Sequence, residues 1–98
     1  MPELQVIARY AVSAGRETEV SALLTRLAEA SRVEPGNLAF VAYRSLEDDR
    51  DVVLLERYAS PDALAEHRAS ARFQDLVLDR IVPLLDGRVV ESYPAEQA

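Results

Sequence analysis

The chain has 98 residues, 49% hydrophobic and 29% charged, and its 17 acidic and 11 basic residues give a net charge of −6. Cysteine, lysine and tryptophan are absent, and there is one histidine. Without cysteine the chain has no thiolate nucleophile and no disulfide, and without lysine it has no Schiff base and no P-loop. One histidine cannot supply a two-histidine metal triad, so much of the cofactor repertoire is excluded. The length predicts one domain, and because the arginines are interleaved with acids and no apolar run approaches the ~20 residues of a membrane span, neither a nucleic acid nor a membrane is expected as a partner.

The first third of the chain predicts a strand and an amphipathic helix. Residues 4–12 alternate with the period of a strand, one face being Leu4, Val6, Ala8, Tyr10 and Val12. After Gly15, apolar residues recur at helical spacing opposite a charged face. The sequence Glu34-Pro35-Gly36-Asn37 ends this helix and predicts a type II turn, in which the glycine accepts a positive φ.

The rest of the chain predicts a hairpin, a second helix and a last strand. Strands over residues 37–45 and 52–58 flank a charged loop. Ser60-Pro61-Asp62 is a helix start, with serine as the N-cap and proline at the first helical position. This helical region is expected to break near Ala69-Ser70 and to end or bend at Pro83, before a stop at Asp86-Gly87 and a strand over residues 88–93.

The resulting order, βαββαβ, predicts an α+β fold, namely a ferredoxin-like sandwich with both helices on one face of an antiparallel sheet. One domain is expected over residues 1–98, with residues 94–98 as a frayed tail. Both faces of the strands are apolar, since Phe40 and Ala42 are backed by Val41 and Tyr43. Because the helices can cover only one face, we expect a homodimer that pairs through the sheet faces.

Several segments resemble the antibiotic biosynthesis monooxygenase family in their order and spacing. They are Arg9, Gly15, Glu34-Pro35-Gly36-Asn37, Tyr43-Arg44-Ser45, Glu56-Arg57-Tyr58 and residues 63–70 leading to Phe73. The resemblance covers about residues 4–85 and implies a dimeric α+β barrel that often oxidises quinol-like or polycyclic phenols with dioxygen, without metal or flavin. Haem is not expected, because Val77 stands where the haem-degrading branch has a histidine.

The resemblance therefore implies a cofactor-independent monooxygenase that acts on a phenolic small molecule, with dioxygen as the co-substrate. Two alternatives stay open: an isomerase of a small keto–enol metabolite on the same fold, and a non-catalytic dimer that either binds a small molecule or has its pocket filled by side chains. The isomerase needs no oxygen, so anaerobic turnover would separate it from the oxygenase. A cytoplasmic location is expected, because the N-terminus lacks the basic and apolar regions of a signal peptide.

His67 and Glu56 are the candidate catalytic residues. Histidine is the side-chain type whose unperturbed pKa lies near neutrality. Glu56 shares an otherwise apolar strand face with Leu54 and Tyr58, where an unpaired carboxylate is costly, and Arg9 on the neighbouring central strand is a candidate partner for it. Either candidate could accept the phenolic proton of the substrate. The alternatives are a packing histidine and a structural ion pair.

The other candidate residues would bind the substrate. Asn37 follows the predicted turn and is expected either to hydrogen-bond the substrate or to cap that turn. The aromatic residues could line a pocket for a flat ligand, or could equally belong to the core or to a dimer interface; they are Tyr10, Tyr43, Tyr58 and Phe73. Asn37, the four aromatic residues and Arg9 together form the predicted substrate-binding set.

Overall fold

The computed structural model describes residues 2–95. The elements follow the predicted order: β1 (Glu3–Val12), α1 (Glu17–Arg32), β2 (Asn37–Arg44), β3 (Asp51–Tyr58), α2 (Pro61–Ala69), a π-helical segment (Phe73–Ile81), a 3-10 turn (Val82–Leu84) and β4 (Leu85–Ala95). We call Phe73–Ile81 the π segment. The α+β class and the ferredoxin-like order of the elements are confirmed.

The four strands form one antiparallel sheet in the order β2-β3-β1-β4, so that β1 lies at its centre. In the register of the central pair, Val6 lies opposite Glu56, and Ala8 lies opposite Leu54. Because side chains alternate between the two faces of a strand, these four residues and Tyr58 point to the same face. All five are buried. We call this side the inner face of the sheet.

The inner face packs against the helices to form the core. The buried residues of α1 recur at the predicted helical spacing, and Leu24 and Leu27 join Phe40 and Leu54 of the sheet in one apolar cluster. A smaller cluster contains Tyr58 and lies under α2. The amphipathic character predicted for the first helix is therefore confirmed, and its apolar stripe supplies much of the core.

The turn after α1 is not the predicted type II turn. The N–H of Asn37 donates to the carbonyl of Glu34 at 3.1 Å, so a four-residue turn is present. However, Gly15 (φ 84°) is the only residue among those described that has a positive φ, whereas a type II turn requires one at Gly36. Position 36 needs a glycine because α2 approaches it closely, at Ala63.

The C-terminal strand is longer than the predicted residues 88–93. It begins at Leu85, directly after the 3-10 turn, so Asp86 and Gly87 belong to β4 and are not a helix stop. At its other end, Pro94 lies opposite Leu4 in the sheet. A proline is tolerated there because β4 is an edge strand. Residues 94–95 of the predicted frayed tail therefore belong to β4, and its remainder, residues 96–98, lies outside the described part of the chain.

The opposite, outer face of the sheet carries apolar side chains in register. Ile7 lies opposite Leu55, which in turn lies opposite Val41. Leu55 and Val41 are exposed, as is Tyr43. Both helices therefore lie on the inner side, as predicted. Among residues 2–95, no helix combines the length and the apolar character that crossing a bilayer requires.

Candidate active site

The local sequence determines where His67 lies. Ser60 caps α2, since its Oγ accepts a backbone N–H of the first turn at 3.1 Å, and Pro61 follows it. The helix ends at Ser70, whose backbone is extended (ψ 150°), which confirms the predicted break. Ser70 Oγ donates to the carbonyl of His67 at 2.8 Å and accepts the N–H of Phe73 at 3.1 Å. The break therefore joins His67 to the start of the π segment.

His67 lies between two carboxylates and is only 4% exposed. Its Nδ1 is 2.8 Å from Glu34 Oε1, and its Nε2 is 3.9 Å from Glu56 Oε1. The carboxylate of Glu34 favours the tautomer with its proton on Nδ1, and in that tautomer the lone pair of Nε2 lies on the side of Glu56. Within residues 2–95, no group of three or more histidine, aspartate or glutamate side chains could hold a metal ion.

A close backbone approach brings Glu34 to the histidine. A Cβ atom placed on Gly36 would lie 2.3 Å from Cβ of Ala63, in the first turn of α2. The carbonyl of Gly36 also accepts the N–H of Ala59 at 2.9 Å, immediately before that helix. Only glycine permits this contact, because any other residue would push the turn away from α2.

Tyr58 and Asn37 extend the polar group. Tyr58 Oη donates to Glu56 Oε1 at 2.6 Å, and Tyr58 is fully buried. Asn37 lies opposite Tyr58 in the sheet, and its side chain opposes the rise in the pKa of Tyr58. Its Nδ2 also donates to the carbonyl of Ala39 at 3.2 Å. A continuous set of polar side chains thus runs from β2 through β3 to α2 and the turn before β2.

Burial governs the ionisation of Glu56 and Tyr58. Desolvation raises the pKa of Glu56 above its ordinary value of 4.5, because the ionised form loses its water. The hydrogen bond from Tyr58 and the charges of His67, Arg68 and Arg88 oppose this rise. Burial and the neighbouring Glu56 raise the pKa of Tyr58 far above its usual range. The tyrosine hydroxyl therefore stays a donor to Glu56 at neutral pH.

Aromatic rings enclose the histidine. The centroid of its ring lies 5.2 Å from that of Tyr58, 5.3 Å from that of Phe73 and 6.1 Å from that of Phe40, and Phe73 meets it edge-on. A cavity of about 20 Å³ adjoins these rings, with Tyr10, Glu56 and His67 in its lining. That volume holds about one water molecule, so the pocket is closed to an aromatic ring in this conformation.

A wider groove lies between α1 and β2 and has a volume of about 410 Å³. Its lining includes Leu24, Arg32, Ala42 and Arg44, but neither a histidine nor a buried acid. The small cavity, in contrast, brings the only histidine together with a buried carboxylate. Because buried titratable groups with shifted pKa values are concentrated at functional sites, we place the candidate active site at the small cavity.

The model of the antibiotic biosynthesis monooxygenase family matches residues 4–77 of the chain. The chain belongs to this family. It is similar to Rv0793 of Mycobacterium tuberculosis, with 30% identity, 98% of each chain covered and a TM-score of 0.89.

The chain is also similar to two further solved structures, both of candidate antibiotic biosynthesis monooxygenases. The protein from Caulobacter crescentus is 28% identical, with 98% of this chain and 92% of that chain covered and a TM-score of 0.91. The protein from Nitrosomonas europaea is 22% identical, with 95% and 89% covered and a TM-score of 0.90, which shows the shared fold alone. No curated protein matches the chain in sequence.

In this antibiotic biosynthesis monooxygenase family member, six of the predicted site residues lie together. Four of them line the small cavity, namely Tyr10, Glu56, His67 and Phe73. Tyr58 joins them through its hydrogen bond to Glu56, and Asn37 lies beside Tyr58. The catalytic and binding roles assigned to these residues stay predictions.

Arg9 and Tyr43 lie on the outer face and do not belong to the site. Arg9 Nε is 3.6 Å from Glu91 Oε1, and Tyr43 is 53% exposed. The expected pair between Arg9 and Glu56 is therefore wrong. Glu56 lies opposite Val6, and because side chains alternate along a strand, Arg9 projects from the other side of the sheet.

Three residues at the cavity or bonded to His67 are not among the predicted site residues, namely Glu34, Arg68 and Arg88. The sequence predicts only that Glu34 belongs to a turn, because Pro35 and Gly36 follow it. Its contact with His67 depends on where that turn packs. Arg68 and Arg88 line the cavity with exposed side chains. The adjacency of Arg68 to the only histidine is the one sequence feature that indicates it.

Proposed function

We propose that this protein is a monooxygenase that oxidises a phenolic or quinol-like small molecule with dioxygen, without a metal or an organic cofactor. The observation that carries the proposal is the buried His67, which is bonded to Glu34, adjacent to Glu56 and next to a cavity with aromatic walls. Membership of the monooxygenase family supports it. Such a site can accept a proton from a weak acid where water is excluded.

In the proposed reaction the substrate supplies the electrons. Triplet dioxygen reacts slowly with closed-shell molecules, and enzymes usually overcome this with a metal or flavin. A phenolate, formed when the phenol loses its proton, is reducing enough to transfer one electron to dioxygen, which gives a phenoxyl radical and superoxide. These combine through a new C–O bond to a peroxide anion, which takes back the proton held by the protein's base and becomes a hydroperoxide. Loss of water then gives a quinone, so that one phenol and one dioxygen become one quinone and one water.

His67 and Glu56 are the proposed proton acceptors. A phenol titrates near 10 and an ordinary histidine near 6.5, so the transfer to an ordinary histidine is uphill by about 5 kcal/mol. Burial raises the pKa of Glu56, which narrows the difference for this carboxylate. Glu34 stabilises the imidazolium that forms if His67 takes the proton, because its carboxylate accepts the hydrogen bond from Nδ1.

Entry of an aromatic ring requires the closed cavity to open. Phe73 is the partly buried aromatic residue of the cavity wall, and it follows the break at Ser70. We propose that Phe73 moves outward with the start of the π segment when the substrate binds. In the open form Phe73 and Tyr10 would contact the ring, while Asn37 keeps Tyr58 in place.

Oxygen uptake tests the proposal directly. The purified protein is given a reduced naphthoquinol, and its rate is compared with autoxidation in buffer. We expect uptake above autoxidation that falls at least about 100-fold in His67→Gln and Glu56→Gln, as for loss of a general base. Glu47→Gln, in the exposed hairpin loop, is the matched control and should keep the rate. Full activity of the His67→Gln, Glu56→Gln double variant would contradict the proposal.

Assays of the same purified protein distinguish the two alternatives, the isomerase and the non-catalytic dimer. Glu56 and His67 are 3.9 Å apart, a spacing that also suits the transfer of a proton between two positions of a keto–enol substrate. Turnover that continues without oxygen would favour this isomerase. The small volume of the cavity favours the other alternative, a non-catalytic dimer. A ligand that binds but is not changed with or without oxygen would favour that one.

We also propose that two copies pair through the outer face of the sheet. The apolar centre of this face, at Ile7, Val41 and Leu55, is bordered by the paired charges of Arg9 and Glu91, so two identical faces can meet without like-charge repulsion. Light scattering after gel filtration should give twice the mass of one chain.

The variant Leu55→Glu should be monomeric, because it places a charge at the centre of the apolar patch. Leu46→Glu is the control, since Leu46 is fully exposed in the hairpin loop. A monomeric wild-type protein at tens of micromolar would contradict the dimer.

A further inference from the structure

Two arginines lie at the mouth of the cavity. Arg68 directly follows His67 on α2, and Arg88 lies opposite Tyr10 in the register of β4 and β1, on the inner face. Both side chains line the cavity and both residues are exposed to solvent. They therefore border the candidate site at its boundary with solvent, on two different elements.

Neither guanidinium is neutralised by a carboxylate. Within residues 2–95, Arg68 and Arg88 form no ion pair, although the chain as a whole has a net charge of −6. The nearest acid of the site, Glu56, accepts its hydrogen bond from Tyr58, and the two arginines act on it only through their charge. The N–H groups of Arg68, and those of Arg88 that the hydroxyl of Tyr10 does not take up, are thus available to a ligand.

The position of Arg88 is set by Tyr10. Its guanidinium carbon lies 6.0 Å from the centroid of the tyrosine ring, a cation–π distance. Burial raises the pKa of Tyr10, and a hydrogen bond from Arg88, together with the charge of its guanidinium, opposes this rise. Arg88 therefore faces the cavity even though its residue is exposed.

We propose that the substrate is an aromatic hydroxy acid whose phenol enters towards His67 and Glu56 and whose carboxylate is held at the mouth by Arg68 and Arg88. A guanidinium binds a carboxylate through two parallel hydrogen bonds, and this recognition is planar like the ring system it extends. A carboxylate fits better than a phosphate, since no glycine-rich loop adds the backbone donors that phosphate sites use. This inference rests on the proposed function, because it concerns the substrate of the same site.

The test measures binding and not turnover. The probes are 6-hydroxy-2-naphthoate and its neutral amide, 6-hydroxy-2-naphthamide, which share the ring and the phenol and differ only in the charged group. Titration followed by naphthol fluorescence should show that the wild-type protein binds the carboxylate at least about 10-fold more tightly than the amide. Added salt should weaken binding of the carboxylate more than binding of the amide.

Variants identify the groups responsible. Arg68→Gln and Arg88→Gln should each lower the affinity for the carboxylate by about 5- to 10-fold and leave the affinity for the amide unchanged. Arg72→Gln is the matched control, because Arg72 is an exposed arginine that follows the same helix but does not line the cavity. Equal affinities for the two probes, an equal loss in Arg72→Gln, or no binding of either probe would overturn the proposal.

The outcome is independent of the oxygenase assay. Tighter binding of the carboxylate that is lost in the arginine variants supports this inference even if no compound consumes oxygen, in which case only the proposed reaction fails. Conversely, oxygen uptake with a neutral quinol, together with equal binding of the two probes, keeps the monooxygenase and removes the hydroxy acid.

Discussion

Glu34 Oε1 lies 2.8 Å from His67 Nδ1, which joins the turn after α1 to the second helix. The histidine is buried, and its other ring nitrogen is on the side of Glu56. A carboxylate bonded to one nitrogen of an imidazole selects the tautomer and orients the ring, so that the second nitrogen is ready to accept a proton. The contact makes Glu34 a positioning residue for the proposed base.

Replacement of Glu34 by leucine should change the tautomer of His67. In the wild-type protein we expect the neutral ring to carry its proton on Nδ1, because Glu34 accepts a hydrogen bond there. In Glu34→Leu this acceptor is lost, and the Nε2–H form should become the major one. Nitrogen-15 NMR of protein without a histidine tag reports the form directly, since His67 is the only histidine. An unchanged tautomer would show that Glu34 does not set it, and Glu29→Leu, on the exposed side of α1, is the control.

Glu56 should make the protein less stable as the pH rises. Its pKa is raised by burial, so the folded state holds this proton more tightly than the unfolded state. Between the ordinary value of 4.5 and the higher folded value, the free energy of unfolding falls with pH, by about 1.4 kcal/mol for each tenfold difference in proton affinity.

Glu56→Gln removes this titration. Urea unfolding from pH 4 to pH 8 should therefore show similar stabilities for the wild type and Glu56→Gln at the acid end, and a growing advantage of the variant towards pH 8. Glu47→Gln, in the exposed loop, should follow the wild type throughout. A constant difference between Glu56→Gln and the wild type over the whole range would contradict the raised pKa.

Gly36 should tolerate no side chain unless α2 gives way. The variant Gly36→Ala places a Cβ 2.3 Å from Cβ of Ala63 and should lower the free energy of unfolding by about 1–3 kcal/mol, the usual cost of overpacking. The double variant Gly36→Ala, Ala63→Gly removes the clashing methyl group and should recover most of the loss. Gly87→Ala is the control, because its Cβ would meet Ala11 at an ordinary 3.7 Å. Equal stabilities of Gly36→Ala and Gly87→Ala in urea would refute the close approach.

Phe73→Ala should open the cavity. Phe73 meets the His67 ring edge-on at 5.3 Å and is only partly buried, so its loss should cost about 1–3 kcal/mol of stability, less than for a fully buried ring. We expect 2-naphthol to associate at least about 10-fold faster with this variant in stopped-flow fluorescence, because binding no longer waits for the ring to move. Leu78→Ala, at an exposed position of the π segment, is the control. Equal association rates in the wild type and Phe73→Ala would show that Phe73 is not the barrier.

The order of the elements could be predicted from the sequence because each element carries its own period. The alternation in residues 4–12 and the apolar stripe of α1 report one-sided burial, and Ser60 with Pro61 defines the start of α2 through local hydrogen bonds. His67 and Glu56 could be selected on their chemistry alone, since they are a lone histidine and an acid on an apolar strand face.

The composition of the site was decided by tertiary structure. Alternation shows which side chains share a face within one strand, but the pairing of β1 with β3 decided that Glu56 faces away from Arg9. Likewise, Glu34 became a partner of His67 only because the turn at Gly36 packs against Ala63. Contacts between distant segments depend on packing that no local pattern records. The sequence therefore determined the fold and the two candidate acceptors, while tertiary packing determined which groups surround them and how little space they leave.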